Sequence, residues 1–250
     1  MKIKLNVWDM LDSNIKYDGK RYIWETVYKN VYNTNLISTK NIELRWINKR
    51  YQFLGKFKYK DKISEEMYFS GDIDFNFFED EPNKKVKRRL YSEMLKILDS
   101  PENKNSDTAY IKQMLEMCNK RTERKANVSL MPSTGGMQFV KQSVGRDRLD
   151  TFVWCLYEHY ENGNTILYNH CAAEYIKKLK SFLGLFESVY DYCECMYGIS
   201  EELVNKLKES GSKPIDSPER VLEYIVLANK FWHEKIEMYQ ENGIKNPSGK

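Results

Sequence analysis

Histidine is scarce, cysteine lacks the usual pairings, and no apolar run is long. The three histidines, His159, His170 and His233, stand apart from one another. No HxH or HExxH pattern exists, and metallohydrolases built on those motifs are excluded. The five cysteines form an odd set without a CxxC pair, which suits neither a zinc knuckle nor a disulfide framework. No stretch approaches the ~20 apolar residues of a membrane span. The opening MKIKLNVWDMLDSN carries acids and Asn where a signal peptide needs an apolar core. A cytoplasmic protein without a membrane partner is expected. One-sided charge is lacking too, because 40 basic residues face 36 acidic ones and the net charge is +4. That excess is far below what a dedicated nucleic-acid coat carries.

What is present is the material of a core. Hydrophobic residues make up 41% and aromatics 14% of 250 residues, enough to fold without metal or disulfide. The wealth of Lys, Asn, Ile and Tyr fits an AT-rich bacterial or phage genome, so lysine number alone says little about chemistry. The expected fold is one α+β domain over 1–250. A strand-rich half, 1–145, forms a mostly antiparallel sheet with two helices. It packs against a helical half, 146–243, and a tail follows at 244–250.

Alternation marks the strands. Ile42, Leu44 and Trp46, then Tyr51, Phe53, Phe57 and Tyr59, predict a hairpin with its turn near Asn48 to Arg50. In MYFSGDIDFNFF, Ile73, Phe75 and Phe77 share one face and Asp72, Asp74 and Asn76 the other. NVSLM and MQFVKQSV read as further strands, while Tyr22 to Tyr32 fits helix and strand equally. Helical spacing joins Val86, Leu90, Met94, Ile97 and Leu98, and then Ile111, Met114, Leu115 and Cys118 behind a Ser106 cap. The clearest helix holds Leu149, Phe152, Val153, Leu156, Tyr157 and Tyr160, closed by ENGN. A further helical region from His170 breaks near Gly184. The last helix opens at Ser217-Pro218-Glu219 and buries Val221, Tyr224, Ile225, Ala228, Phe231, Trp232 and Tyr239.

Four constellations can carry chemistry. RDRLD, Arg146 to Asp150, sets Arg146 and Arg148 at a helix start, which suits an anion; Asp147 and Asp150 also resemble a capping box. STGGM offers Ser133, Thr134, Gly135 and Gly136 as a close-approach turn, yet it lacks the lysine of a P-loop. Asp72 and Asp74 point the same way, as acid and base or metal ligands, or as an ordinary solvent-facing edge. The run Lys84, Lys85, Lys87, Arg88 and Arg89 opens a helix where cations oppose the dipole. It is the best nucleic-acid feature, or else a solvated face.

In order, an acidic N-terminal segment (Asp9 or Asp12), Ser70 with Asp72, Gly135-Gly136-Met137, and Asp147-Arg148-Leu149-Asp150 running on to His159-Tyr160 resemble a family of bacterial and phage-associated proteins of unknown function. Leu149 stands where that family carries an aromatic. The resemblance implies no activity, but it groups Asp72, Gly135, Gly136, Arg148 and Asp150 as one set. The set makes either one site or one polar network holding sheet to helices.

Two functional expectations follow, beside a purely structural role. In the first, a cleft between sheet and RDRLD helix takes a phosphorylated or nucleotide-like anion. Arg148 clamps it, Ser133 to Gly136 and Arg146 line it, and Asp72 or Asp150 acts as base. In the second, a nucleic-acid or protein interaction module of a mobile element uses Lys84 to Arg89. Cofactor and oligomeric state are not specified by the sequence.

Overall fold

The alternation of the first half becomes an antiparallel sheet, seen in a computed structural model that describes residues 36–38, 45–47, 50–77, 89–122, 125–133, 141, 148–169 and 171–241. Its strands are β1 (Leu36–Ser38), β2 (Arg45–Ile47), β3 (Arg50–Tyr59), β4 (Lys62–Ile63), β5 (Met67–Ile73) and β6 (Val128–Pro132). The order is β1-β3-β5-β6, with β2 and β4 also on β3. Every pairing among the described residues is antiparallel. Ile47 faces Arg50, so the predicted β2–β3 hairpin forms.

Directly opposed residues of an antiparallel pair share a face. Ile73 with Val128, Gly71 with Leu130 and Phe69 with Pro132 therefore define one side of the sheet; Asp72 with Ser129 and Ser70 with Met131 define the other. The first side is apolar and meets helices. Phe57 and Phe69 lie 5.6 and 5.8 Å from the ring of Phe182, and Phe182 and Phe186 both touch Tyr192. Each such aromatic contributes about 1.5–3 kcal/mol through burial.

Seven α-helices follow among the described residues: α1 (Arg89–Asp99), α2 (Ser106–Arg121), α3 (Leu149–Asn162), α4 (Ala173–Leu183), α5 (Val189–Tyr197), α6 (Glu201–Gly211) and α7 (Pro218–Glu241). The predicted buried set of α2, Ile111, Met114, Leu115 and Cys118, is buried; on α3 Leu149, Phe152, Val153 and Leu156 are buried, while Tyr157 and Tyr160 are half-buried. Gly163 closes α3 in the left-handed conformation, φ 63°, where glycine carries no side-chain penalty. The break near Gly184 is real. That glycine caps α4, and Ser188 starts α5 by accepting from the Asp191 N–H. Ser217 and Pro218 open α7 as expected, the Ser217 hydroxyl accepting from the Arg220 N–H.

Two caps differ from expectation. Asn105, not Ser106, caps α2, its side chain accepting from the N–H groups of Asp107 and Thr108 while Thr108 Oγ1 accepts from the Asn105 N–H. Asn105 has the extended backbone that a cap requires, φ −150°, and Ser106 is already helical. At α3 the cap position is Arg148, without a side-chain capping bond, so the predicted Asp147–Asp150 box is replaced. The Asp150 carboxylate is engaged by Arg148 and by the Thr151 N–H instead.

The remaining helical contacts fix α7 and α6. Phe75 and Phe77 of the segment after β5 pack on Tyr224, Phe231 and Trp232 of α7. Helices α3 and α6 approach so closely that a Cβ on Gly211 would collide with the Asp150 backbone carbonyl. Only glycine fits that crossing.

Candidate functional site

The second side of the sheet is the unusual one. Ser70, Asp72 and Ser129 point to it and are as buried as any core residue, Asp72 being 3% exposed. The alternation read from sequence is right for Asp72, but the solvent-facing edge is not. Lys141 reaches this face, its ammonium 3.2 Å from Asp72 Oδ2 and hydrogen-bonded to the Ile73 carbonyl. The backbone of Lys141 is helical, where the alternation of MQFVKQSV predicts a strand. A helix projects its side chains outward all round, so one lysine can reach the sheet without its neighbours doing the same.

A second ion pair lies beside the first. Lys235, in the last third of α7, places its ammonium 2.7 Å from Asp74 Oδ2 and 2.9 Å from the Val128 carbonyl oxygen, and bonds Ser129 Oγ as well. Ser129 Oγ donates to Asp74 at 2.7 Å. Three acceptors thus meet the three N–H bonds of one ammonium. Burial pushes the Lys235 pKa down, the Asp74 carboxylate pulls it back up, and the Lys141 ammonium opposes its charge. The two pairs therefore form one electrostatic cluster, Asp72–Lys141 and Asp74–Lys235.

Arg148 and Asp150 make a different arrangement. The guanidinium binds the carboxylate through two parallel bonds, Nε to Oδ1 at 2.9 Å and Nη2 to Oδ2 at 2.6 Å. Arg148 also donates to the carbonyl oxygens of Lys213 and Ser210, and Ser210 Oγ donates to Asp150 at 2.9 Å. Arg220 from α7 adds a bond to the same Ser210 carbonyl. This network locks the start of α3 to the end of α6, around the Gly211 crossing. Burial depresses the Arg148 pKa, but the Asp150 hydrogen bonds and charge more than offset this, and the net shift is upward.

Among the described predicted residues, Asp72 belongs to the buried polar face, while Arg148 and Asp150 belong to the α3–α6 lock. Ser133 follows β6, its N–H bonded to the Tyr68 carbonyl and its Oγ buried without a hydrogen-bond partner. Arg89 is the first residue of α1. Thr134, Gly135, Gly136, Arg146, Asp147, Lys84, Lys85, Lys87, Arg88, His170, Asp9, Asp12 and the Tyr22 to Tyr32 segment lie outside the described residues.

Three structurally important residues escape the sequence reading. Lys235 falls on the apolar stripe of α7, four residues after Phe231, and a lysine on such a stripe is itself a signal of a buried charge with a partner. Ser129 has the signal of its alternating strand. Asn127 has none: its amide accepts from the Phe75 N–H and Trp232 Nε1 and donates to the carbonyls of Phe75 and Thr122, and only the assembled fold reveals those four partners.

Other chemistries find little support among the described residues. No group of three or more His, Cys, Asp or Glu could hold a metal. Burial pushes the thiols of Cys118, Cys155 and Cys195 up to about 12, against thiolate chemistry. No helix is long and apolar enough to cross a membrane. No protein-family model, curated protein or solved structure matches the chain.

Proposed function

We propose that this protein binds a phosphorylated or nucleotide-like small molecule against the polar face of β5 and β6, at Ser70, Asp72, Ser129 and Lys141. The observation behind this reading is a pair of lysine–aspartate ion pairs sealed at a sheet face. Taking such charges out of water costs several kcal/mol per ion, and well-packed apolar residues of similar volume are commonly as stable or more so. A face built for packing alone would resemble its opposite side, where Phe57, Phe69, Val128 and Leu130 meet the helices. Clusters of buried charge with a perturbed amine are characteristic of functional sites. In this reading Asp72, expected as a base, contacts the ligand instead. Arg148 and Asp150 hold α3 in place.

A thermal-shift screen tests it. Nucleoside phosphates and sugar phosphates, each compared with sodium chloride at equal ionic strength, should include at least one that raises Tm. Ligand at 100 times its Kd stabilises by about 2.7 kcal/mol. A flat response across the panel at millimolar concentration would sink the reading.

A further inference from the structure

Asp74 and Lys235 are placed for a reaction between their own side chains. The Lys235 nitrogen stands 2.7 Å from Asp74 Oδ2. Adding the ~1.2 Å C–O bond puts it within ~4 Å of the carboxyl carbon, close to the ~3–3.5 Å from which a nucleophile attacks. Ser129 Oγ touches both groups, donating to Asp74 Oδ2 at 2.7 Å and accepting from the Lys235 ammonium. One hydroxyl therefore bridges the nitrogen that would lose a proton and the oxygen that would gain it.

The surroundings favour an amide over an ion pair. The side chains of Lys235 and Asp74 are 0% and 1% exposed, and the rings of Phe231 and Tyr197 lie 5.2 and 5.9 Å from the ammonium. Bulk water, which would drive hydrolysis, is kept away. Burial works against the charge on Lys235, Asp74 supports it, the Lys141 ammonium opposes it, and the net pKa shift is downward. One proton passed along the existing hydrogen bond converts ammonium and carboxylate into amine and carboxylic acid, the neutral forms that a low-dielectric site prefers. Both partners are held in place, Lys235 by the buried Phe231, Trp232 and Ile236 around it on α7, and Asp74 by its N–H on the Asn127 carbonyl. Fixed placement of this kind replaces a bimolecular encounter and reaches effective molarities on the order of 10⁵ M or more.

We infer that Asp74 and Lys235 condense to an isopeptide bond, which ties the residue after β5 covalently to α7. The step balances within the site. Once a proton has passed from Nζ to Oδ2, the amine lone pair attacks Asp74 Cγ and the C–N bond forms. Ser129 relays a second proton from the nitrogen to Oδ2, the C–O bond breaks, and one water leaves. No other reactant enters. The product removes two buried charges and links residues 161 apart in the chain, which restricts the unfolded state. Only the folded chain brings the two groups together, so newly folded protein carries the ion pair and the bond accumulates as it stands. Neither Asp72 nor Lys141 is consumed, and the binding reading above stands or falls separately.

The test is intact-mass spectrometry of the full chain, freshly purified and after days at neutral pH, followed by peptide mapping. A species lighter by one water should grow with time. Its digest should contain a cross-linked peptide joining Asp74 to Lys235, with tryptic cleavage after Lys235 blocked. Protein held unfolded in guanidinium chloride should not lose water. Ser129→Ala should slow the loss at least tenfold, and Lys235→Arg should abolish it. The wild-type measurement decides the bond whether or not either variant folds. An unchanged mass after incubation of the folded wild type overturns the inference, and so does a water loss mapped to another pair or to a cyclised aspartate. An unaltered rate in folded Ser129→Ala overturns the relay role of Ser129 alone.

Discussion

Asp74 and Lys235, 161 residues apart in the chain, share a hydrogen bond of 2.7 Å with almost no solvent contact on either side chain. Breaking one half leaves a buried charge without its partner, and that penalty is about 3–5 kcal/mol. Lys235→Met should lower unfolding free energy by that amount in urea denaturation. Adding Asp74→Asn should restore a substantial part of it. Additive losses in the double variant would mean that the two side chains are not coupled.

The Arg148–Asp150 pair gives a contrasting expectation. Arg148→Met strands the Asp150 carboxylate at the α3–α6 crossing and should also cost about 3–5 kcal/mol. Arg148→Lys should recover little, because an ammonium cannot reproduce two parallel bonds. The Tm increment on ligand binding should persist in whichever variant folds. Loss of ligand response with unchanged stability would return Arg148 to the role of anion clamp.

Asn127 ties four groups from three parts of the chain. Asn127→Ala leaves the Phe75 N–H, the Trp232 indole N–H and two carbonyls without it, and buried groups left unpaired cost about 1–3 kcal/mol each. A total loss of roughly 3–5 kcal/mol is expected after partial relaxation. Asn127→Asp keeps the acceptor but removes both donors, and should be no better. A loss under 1 kcal/mol for Asn127→Ala would show that water or neighbours replace the amide readily.

His159 supplies a pH dependence. Tyr168 hydroxyl and His159 Nε2 are 3.4 Å apart, and burial holds the imidazole pKa below its ordinary value, with Lys180 adding to the effect and a backbone contact at Asn164 opposing it. The unfolded chain therefore binds this proton more readily than the folded one. The stabilisation from neutral His159 is complete above about pH 6.5 and is lost as pH falls through the folded-state pKa. His159→Gln should flatten the decline in Tm between neutral pH and pH 5. An identical slope in both proteins would assign it to other groups.

These residues also show how far the sequence could be read. Apolar spacing located α2, α3 and α7, because burying one stripe is a local demand that leaves a local trace. Glycine and proline punctuation located the ends at Gly163, Gly184 and Pro218 for the same reason. Asn105 against Ser106 was beyond that kind of reading, since both side chains can cap and one residue of backbone geometry decides. The site was half legible. Asp72 and Asp74 stood out as carboxylates on one strand face, but burial of a strand face depends on what the rest of the chain lays over it. The lysines that neutralise them come from distant segments, and Lys235 was visible only as an interruption in an apolar stripe.

The long helix α7 bears on how the protein is made. During synthesis β5 and β6 leave the ribosome well before residue 235, so for that interval Asp74 has no ammonium to meet it and belongs in water. The face that is later sealed must stay open until α7 arrives. Closure of the sheet is thereby deferred until α7 has been translated, and a ribosome-bound chain halted before Lys235 should remain protease-sensitive at β5 and β6.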